Sequence, residues 1–132
     1  MRMFIDTSAF YALLDRTDES HLKAGREWNR ILDADYTLVA TNYVLVETLA
    51  LLQSRIGLEA VRRFQEDVFP LLSLEFVTPK MQRLGTSALL ASSRRRLSLV
   101  DCISFEVMRE TGIRKVFTFD PHFIEQGFEV LP

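Results

Sequence analysis

Cysteine and histidine are scarce in this sequence. Its 132 residues include one cysteine, Cys102, and two histidines, His21 and His122. One cysteine cannot close a disulfide within the chain, and so few nitrogen and sulfur ligands cannot build a structural zinc site. This composition fits a reducing compartment, and we expect the protein to be cytoplasmic.

Long apolar segments are also lacking. The longest stretch without a charged residue is 36–46, which is 11 residues long, whereas a membrane-spanning helix needs about 20. Near the N-terminus the apolar residues 3–5 are followed at once by Asp6, so no secretory signal is predicted. We expect no interaction with a membrane.

The chain has no large excess of charge of either sign. Its 16 basic and 18 acidic residues give a formal net charge of −2, so attraction to nucleic acid has to come from a local cluster. Arg94, Arg95 and Arg96 form such a cluster. These arginines either complement the dipole of a helix C-terminus or bind nucleic-acid phosphates, and both interpretations stay open.

The order of apolar segments predicts a single α/β domain over residues 1–132. Short apolar runs, which read as strands, alternate with longer helical patterns. Predicted strands are 3–5, 37–40, 73–77, 116–119 and 129–131, and predicted helices are 8–14, 20–32, 42–54, 58–69, 79–95, 99–111 and 121–126. Strands separated by helices favour one mostly parallel sheet with helices on both faces.

Four acidic residues are unusual because each is the sole charged residue of an apolar segment. They are Asp6 after 3–5, Glu47 within 36–54, Asp101 within 97–105 and Asp120 after 116–119. Most other acidic residues lie in polar surroundings, where solvation accounts for them. A buried carboxylate without a partner costs free energy, so these four positions need an explanation.

Helix capping explains three of the four. The candidate caps are Asp6 before a helix that begins near Ser8, Asp101 in a capping box with Ser98, and Asp120 before Pro121. Glu47 does not fit, because it lies in the middle of a predicted helix with no basic residue within reach along that helix. His122, which follows Pro121, either faces the same region as Asp120 or lies at the surface of a short helix, and we expect the surface position.

Sheet topology gives the four acids a second interpretation. Ligands of open parallel sheets bind at the carboxyl ends of the strands, where Asp6 and Asp120 are expected and where the helix beginning near Asp101 points. Two carboxylates within about 4 Å of each other repel by about 4 kcal/mol at an effective dielectric constant of 20, so a cluster implies a compensating cation. Oxygen ligands favour Mg²⁺ or Mn²⁺.

Four separated motifs, which together extend over nearly the whole chain, resemble the acidic motifs of PIN-domain nucleases. They are Phe4-Ile5-Asp6-Thr7-Ser8, Val46-Glu47, Leu97-Ser98-Leu99-Val100-Asp101 and Thr118-Phe119-Asp120-Pro121-His122-Phe123. The order and spacing of these motifs are especially similar to those of VapC-type toxins of type II toxin–antitoxin systems.

The resemblance implies a PIN-like fold and a divalent-metal-dependent endoribonuclease. Carried over by position, the metal ligands and catalytic residues are Asp6, Glu47, Asp101 and Asp120, with Thr7, Ser8 and Thr118 as polar support. The expected cofactor is Mg²⁺, or alternatively Mn²⁺. The resemblance also implies an RNA substrate, a cognate antitoxin and a homodimer.

Two other functions compete with this one. A receiver-like phosphoacceptor also carries carboxylates at strand ends, but it needs an acidic pair after the first strand and a lysine after the last, whereas Lys115 precedes its strand. A PIN scaffold that binds RNA or protein without cutting would be favoured by loss of an acid, and all four are present. A DNA nuclease is a further option, although larger relatives of that kind carry extra elements.

Overall fold

The computed structural model describes residues 1–92 and 97–132. Its five strands are β1 (Arg2–Ile5), β2 (Thr37–Thr41), β3 (Leu72–Glu75), β4 (Lys115–Phe117) and β5 (Glu129–Leu131). Its α-helices are α1 (Thr7–Leu14), α2 (His21–Asp33), α3 (Asn42–Arg55), α4 (Leu58–Arg63), α5 (Pro79–Ala91), α6 (Leu99–Thr111) and α7 (His122–Glu125). The arginines Arg94, Arg95 and Arg96 lie outside the described residues, so their role in RNA binding stays a prediction.

The five strands form one parallel sheet in the order β3-β2-β1-β4-β5. This confirms the predicted fold class. The chain builds outward from β1 to β2 and β3, and then returns to the other side of β1 for β4 and β5. The junction between β1 and β4 is therefore the topological switch point, where α/β sheets bind their ligands.

The central strand explains why the first apolar run reads as a strand. Met3, Phe4 and Ile5 are all fully buried, as expected for a parallel strand that is covered by helices on both faces. Aromatic pairs extend this core. Phe10 packs edge-to-face on Phe64 with ring centroids 5.2 Å apart.

Several element boundaries differ from those predicted. Strand β3 begins and ends earlier than 73–77, because it pairs with β2, which ends at Thr41 where α3 is capped. Beyond that point, the backbone N–H of Val77 donates to the side chain of Asn42 instead. The predicted helix 58–69 divides into α4, a π-helical turn (Phe64–Val68) and a 3₁₀ turn (Phe69–Leu71).

No helix within residues 1–92 and 97–132 combines the length and apolar character that crossing a bilayer requires. Helix α3, at 14 residues, is the longest that the structure describes, compared with the about 20 residues of a typical span.

Candidate active site

Asp6 connects the end of β1 to the start of α1. It is the N-cap of α1, and its Oδ2 accepts a hydrogen bond from the backbone N–H of Ser8. The Asp6 residue is 3% exposed. The cap interpretation is therefore correct, but capping uses one weak contact of 3.4 Å and leaves most of the carboxylate to other partners.

Two hydroxyl groups tie Asp6 to the end of β4. Ser8 Oγ donates to Asp6 Oδ2 over 2.9 Å, and Thr118 Oγ1 donates to the same oxygen over 3.0 Å. Ser8 Oγ also accepts from the backbone N–H of Phe119, and Thr118 Oγ1 accepts from that of Asp120. This network fixes the loop after β4 against β1, and so fixes the first and fourth acids relative to each other.

Asp101 lies in the first turn of α6 and forms the predicted capping box. Its backbone N–H donates to Ser98 Oγ over 3.0 Å, and its Oδ2 accepts from the Ser98 backbone N–H over 3.1 Å. The N-terminal location of Asp101 suits the helix dipole. Its second carboxylate oxygen remains available to a ligand on the cleft side.

Glu47 reaches the same region from the middle of α3. The next residue, Thr48, is fully buried, and its hydroxyl lies 3.4 Å from that of Thr7 at the start of α1. This contact joins the two helices beside Glu47. Among the described residues, no ion pair to Glu47 is found within 4 Å.

Asp120, the fourth acid of the site, is in contact with His122. The helix α7 begins at His122, so Asp120 is not its N-cap as predicted, although Asp120 Oδ1 still accepts the His122 backbone N–H over 2.9 Å. The ring Nδ1 of His122 lies 2.7 Å from the same oxygen, and the side chain is 15% exposed. The prediction that His122 lies at the surface is wrong, because the turn after Pro121 folds the ring back on Asp120.

All four predicted acids line one cleft of about 650 Å³ at the carboxyl ends of β1 and β4. Thr7 and Ser8 line it as well, whereas Thr118 is buried behind Asp6. One ligand atom each of Asp101, Asp120 and His122 lies within 4.8 Å of the others. The position of His122 beside these two acids matches the alternative that the sequence left open and not the expected surface position.

Electrostatic repulsion from neighbouring acids helps to raise the pKa values of three of the four carboxylates. Burial, with smaller contributions from the charges of Asp101 and Asp120, raises the pKa of Asp6 from 3.8 to about 6, although hydrogen bonds from Ser8 and Thr118 lower it. Burial is also the largest cause of the raised pKa of Glu47 and of Asp101, and neighbouring carboxylates add to both. Each of the six pairs among the four acids contributes to at least one of these pKa values.

A divalent cation fits this donor set. Carboxylate oxygens with one imidazole nitrogen nearby are ligands that Mg²⁺ and Mn²⁺ accept in proteins. A bound cation would offset the mutual repulsion of these carboxylates, which favours cation binding at this site. Arg55 is the sole basic residue among the described residues that line the cleft.

The position of Lys115 argues against a receiver-like phosphoacceptor. Lys115 begins β4, so it lies at the opposite edge of the sheet from the acids. There its Nζ donates to the hydroxyl of Tyr36 over 3.0 Å and lies 4.0 Å from Glu129. A lysine in this place cannot reach a phosphoryl group held by Asp6.

Comparison with known proteins gives consistent results in sequence and in structure. The family described as the PIN domain matches residues 3–129. The chain is 34% identical over 132 residues to the 23S rRNA-specific endonuclease VapC20 of Mycobacterium tuberculosis, covering 98% of each protein. The crystal structure of VapC20, described as a sarcin-ricin loop cleaving toxin, matches with a TM-score of 0.82 at 31% identity, over 96% of this chain and 95% of that one.

A more distant structure shares the fold alone. The crystal structure of PAE2754 from Pyrobaculum aerophilum matches with a TM-score of 0.65 at 16% identity, over 98% of this chain and 83% of that one. The overall fold is thus retained at low sequence identity.

Proposed function

Since this chain belongs to the PIN-domain family, we propose that it is a divalent-metal-dependent endoribonuclease, the toxin of a type II toxin–antitoxin pair. The observation that supports this proposal most strongly is the convergence of Asp6, Glu47, Asp101 and Asp120 on one cleft. They come from four separate segments of the chain, and their mutual repulsion stores unfavourable free energy that a bound cation relieves.

The four acids would hold the metal ion, with His122 as a neighbouring group that orients Asp120. When bound, a divalent ion lowers the pKa of a coordinated water and stabilises negative charge on the phosphate. Mg²⁺ is the expected ion because the donor set is mostly oxygen, and Mn²⁺ is the alternative because it also accepts imidazole.

The remaining polar groups of the site orient the acids. The hydroxyls of Ser8 and Thr118 both donate to Asp6, which keeps that carboxylate directed at the cleft. Thr7 is placed to support Glu47, since a hydrogen bond from Thr7 lowers the pKa of Glu47 against the effect of burial. These three residues are proposed as positioning residues, and no side chain is proposed as a covalent nucleophile.

The proposed substrate is ribosomal RNA. The relative that matches over 98% of its length is described as a 23S rRNA-specific endonuclease, and its structure as a sarcin-ricin loop cleaving toxin. The sarcin–ricin stem-loop of 23S rRNA is therefore the first RNA to test. Action on ribosomes places the proposed activity in the cytoplasm.

A cognate antitoxin and a second copy of the chain are the proposed protein partners. Several large apolar side chains on helices are exposed, including Leu22, Val46 and Leu58 at 73%, 66% and 64%. Exposed apolar side chains of this size are available for contact with other proteins. An antitoxin that covers such helices and places a basic side chain near the acids would silence the enzyme.

The experiment that tests the proposed function maps the RNA ends that the purified protein generates. Wild-type protein with Mg²⁺ is incubated with intact ribosomes, with deproteinised total RNA and with a synthetic sarcin–ricin stem-loop. We expect one dominant cut with a 5′-phosphate, located in the stem-loop. Cleavage of none of the three RNAs would overturn the proposal.

Expression in cells provides an independent check of the toxin assignment. Wild-type protein produced without an antitoxin is expected to arrest growth, whereas the Asp101→Asn variant at the same protein level is not. Equal growth of the two strains would contradict toxicity.

A further inference from the structure

The cleft continues beyond the four acids to a second group of side chains, Tyr11 and Arg55. Tyr11 lies on α1 and Arg55 in the last turn of α3, and both line the cleft that contains the acids. The Arg55 guanidinium lies over the Tyr11 ring, with its Cζ atom 5.3 Å from the ring centroid. The Tyr11 hydroxyl donates to Asp15 Oδ2 over 2.6 Å. The ring under Arg55 is therefore fixed by this hydrogen bond as well as by its attachment to α1.

The acid that holds Tyr11 is itself fixed. Asp15 Oδ1 accepts from the backbone N–H of Thr17 over 2.9 Å and from its hydroxyl over 2.7 Å. The arrangement Thr17–Asp15–Tyr11–Arg55 therefore presents a guanidinium on a supported aromatic surface. Such support reduces the rotamer freedom that an exposed arginine loses when it binds a ligand.

The charge distribution of the cleft indicates what Arg55 binds. Six carboxylates are among the described lining residues: Asp6, Asp18, Glu19, Glu47, Asp101 and Asp120. Against them, Arg55 is the one cationic side chain in the part of the cleft that the structure describes. A polyanion that enters this cleft needs positive charge at more than one position along the cleft. A metal ion held by the acids supplies positive charge at one position only.

Helix geometry sets the separation between the two points. Glu47, Leu51 and Arg55 are four residues apart in turn and lie on one face of α3, and all three line the cleft. The rise of an α-helix places Arg55 roughly 12 Å along the helix axis from Glu47. This distance suits a phosphate near, but not at, the scissile position, with Leu51 as an apolar surface between the two.

We propose that Arg55, supported by Tyr11, binds an RNA phosphate that flanks the scissile one, and so forms a second substrate-binding point in the cleft. This inference rests on the proposed function, because the substrate is RNA. A planar guanidinium can donate two parallel hydrogen bonds to phosphate oxygens. A contact of this kind adds affinity and aligns the strand without taking part in the chemistry.

The test measures cleavage kinetics of the sarcin–ricin stem-loop over a range of KCl concentrations. Arg55→Ala is expected to lower kcat/KM about tenfold, mostly through KM, because one charge-assisted contact is lost. The plot of log kcat/KM against log[KCl] should become shallower by about 0.7, the value for one phosphate contact on a single strand. Arg26→Ala is the matched control, since Arg26 is an exposed arginine on α2 outside the cleft lining.

Conservative variants separate charge from geometry. Arg55→Lys keeps the cation, so the salt dependence should stay close to wild type, while KM rises because the planar fork is lost. Tyr11→Phe keeps the ring and should alter KM less than Tyr11→Leu, which removes the surface under the guanidinium. Melting temperatures are measured for every variant, and one that melts like wild type but shows the kinetic change has lost binding rather than folding.

Two results would contradict the inference that Arg55 binds an RNA phosphate. Wild-type KM and salt dependence in Arg55→Ala would overturn the inference. Should wild-type protein cut no RNA, the proposed function fails separately, and binding of the fluorescein-labelled stem-loop decides this inference. Roughly tenfold weaker binding by Arg55→Ala than by Arg26→Ala would still support it, and equal binding would overturn it.

Discussion

The carboxylate of Asp6 has two functions in the structure. It caps α1, and it is the most deeply buried of the four acids, at 3% exposed. Burial and neighbouring acids raise its pKa to about 6, although Ser8 and Thr118 donate hydrogen bonds to it. Burial and neighbouring carboxylates together outweigh the two hydrogen bonds at this residue, so the metal-free fold keeps a proton on Asp6 up to a higher pH than an ordinary aspartate would.

The first prediction concerns the pH dependence of stability without metal. The pKa of Asp6 is about 6 in the folded state, against 3.8 for an ordinary aspartate, so the folded protein binds the extra proton more tightly. This stabilisation is fully present below pH 4 and is lost as pH rises through 6, a change of about 3 kcal/mol. The measurement is urea unfolding in EDTA from pH 4 to 7.

The matched variants for this prediction are Asp6→Asn and Asp33→Asn. Asparagine caps a helix nearly as well as aspartate, so Asp6→Asn should keep α1 while it flattens the pH dependence. Asp33 is exposed at the end of α2, and its variant should follow the wild-type curve. Identical curves for all three proteins would show that Asp6 has an ordinary pKa.

The second prediction concerns Thr118 as a positioning residue. Thr118→Val keeps the shape of the side chain but removes the donor to Asp6 and the acceptor for the Asp120 backbone N–H. We expect a loss of about 1–3 kcal/mol in the free energy of unfolding and a roughly 10–100-fold lower affinity for Mg²⁺ or Mn²⁺. Calorimetric titration measures the affinity.

Rescue distinguishes positioning from general stability. Thr118→Ser restores the hydroxyl without the methyl group, so metal affinity should return close to wild type even though some packing is lost. If Thr118→Ser binds metal as poorly as Thr118→Val, the hydroxyl does not position the acids.

The N-termini of two helices determine where two of the four acids lie. Asp6 is the N-cap of α1, and Asp101 forms a capping box at the start of α6. Capping and ligand binding are thus compatible interpretations of the same residues, because a cap uses one carboxylate oxygen and leaves the other. The sequence predicted both caps correctly, since a capping box is a local pattern.

Elements that depend on distant contacts were predicted less well. The limits of β3 follow from its pairing with β2, and the π-helical turn Phe64–Val68 lies in a segment whose apolar spacing indicates one continuous helix. The contact between His122 and Asp120 depends on the turn that leads from β4 into α7. None of these contacts is present in the local pattern of residues.

The third prediction concerns the packing that positions α6. Gly85 on α5 lies so close to α6 that an added Cβ would meet Ile103 Cγ1 at 2.4 Å and its Cα at 3.2 Å. Gly85→Ala should therefore destabilise the protein by about 1–3 kcal/mol. Gly25→Ala on α2 is the control, because nothing lies within 4 Å of its Cβ position.

The two glycine variants are expected to change stability in opposite directions. Alanine in a helix interior is favoured over glycine by about 0.5–1 kcal/mol, so Gly25→Ala should raise the melting temperature. A Gly85→Ala protein that is also more stable would show that α5 and α6 can separate without loss, and that their close approach does not constrain Asp101.

At the scale of the whole molecule, the sheet brings together residues that are far apart in sequence. Parallel pairing was predictable from the alternation of strands and helices, and the resemblance to PIN-domain nucleases specified which acids to consider. The strand order, with β1 between β2 and β4, does not follow from that alternation. It is this order that sets Asp6 beside the loop that carries Asp120.

The fourth prediction concerns the coupling of metal binding to global stability. Mg²⁺ at one hundred times its dissociation constant should stabilise the wild-type protein by about 2.7 kcal/mol, provided that the unfolded chain does not bind it. Asp120→Asn removes one repelling charge, so it should raise the metal-free melting temperature near neutral pH and reduce the Mg²⁺-induced increase. Equal Mg²⁺-induced increases in both proteins would exclude Asp120 from the metal site.

The most direct test of the central claim is the initial rate of RNA cleavage by purified protein with and without divalent metal. Wild type and Asp33→Asn should cut the RNA in Mg²⁺ at equal rates, stop in EDTA, and recover when Mn²⁺ is added in excess. Asp101→Asn should be slower by roughly a hundredfold or more, since a ligand and not a supporting group is lost. Cleavage at the wild-type rate by Asp101→Asn, or undiminished cleavage in EDTA, would contradict the assignment of these acids as a metal-dependent nuclease site.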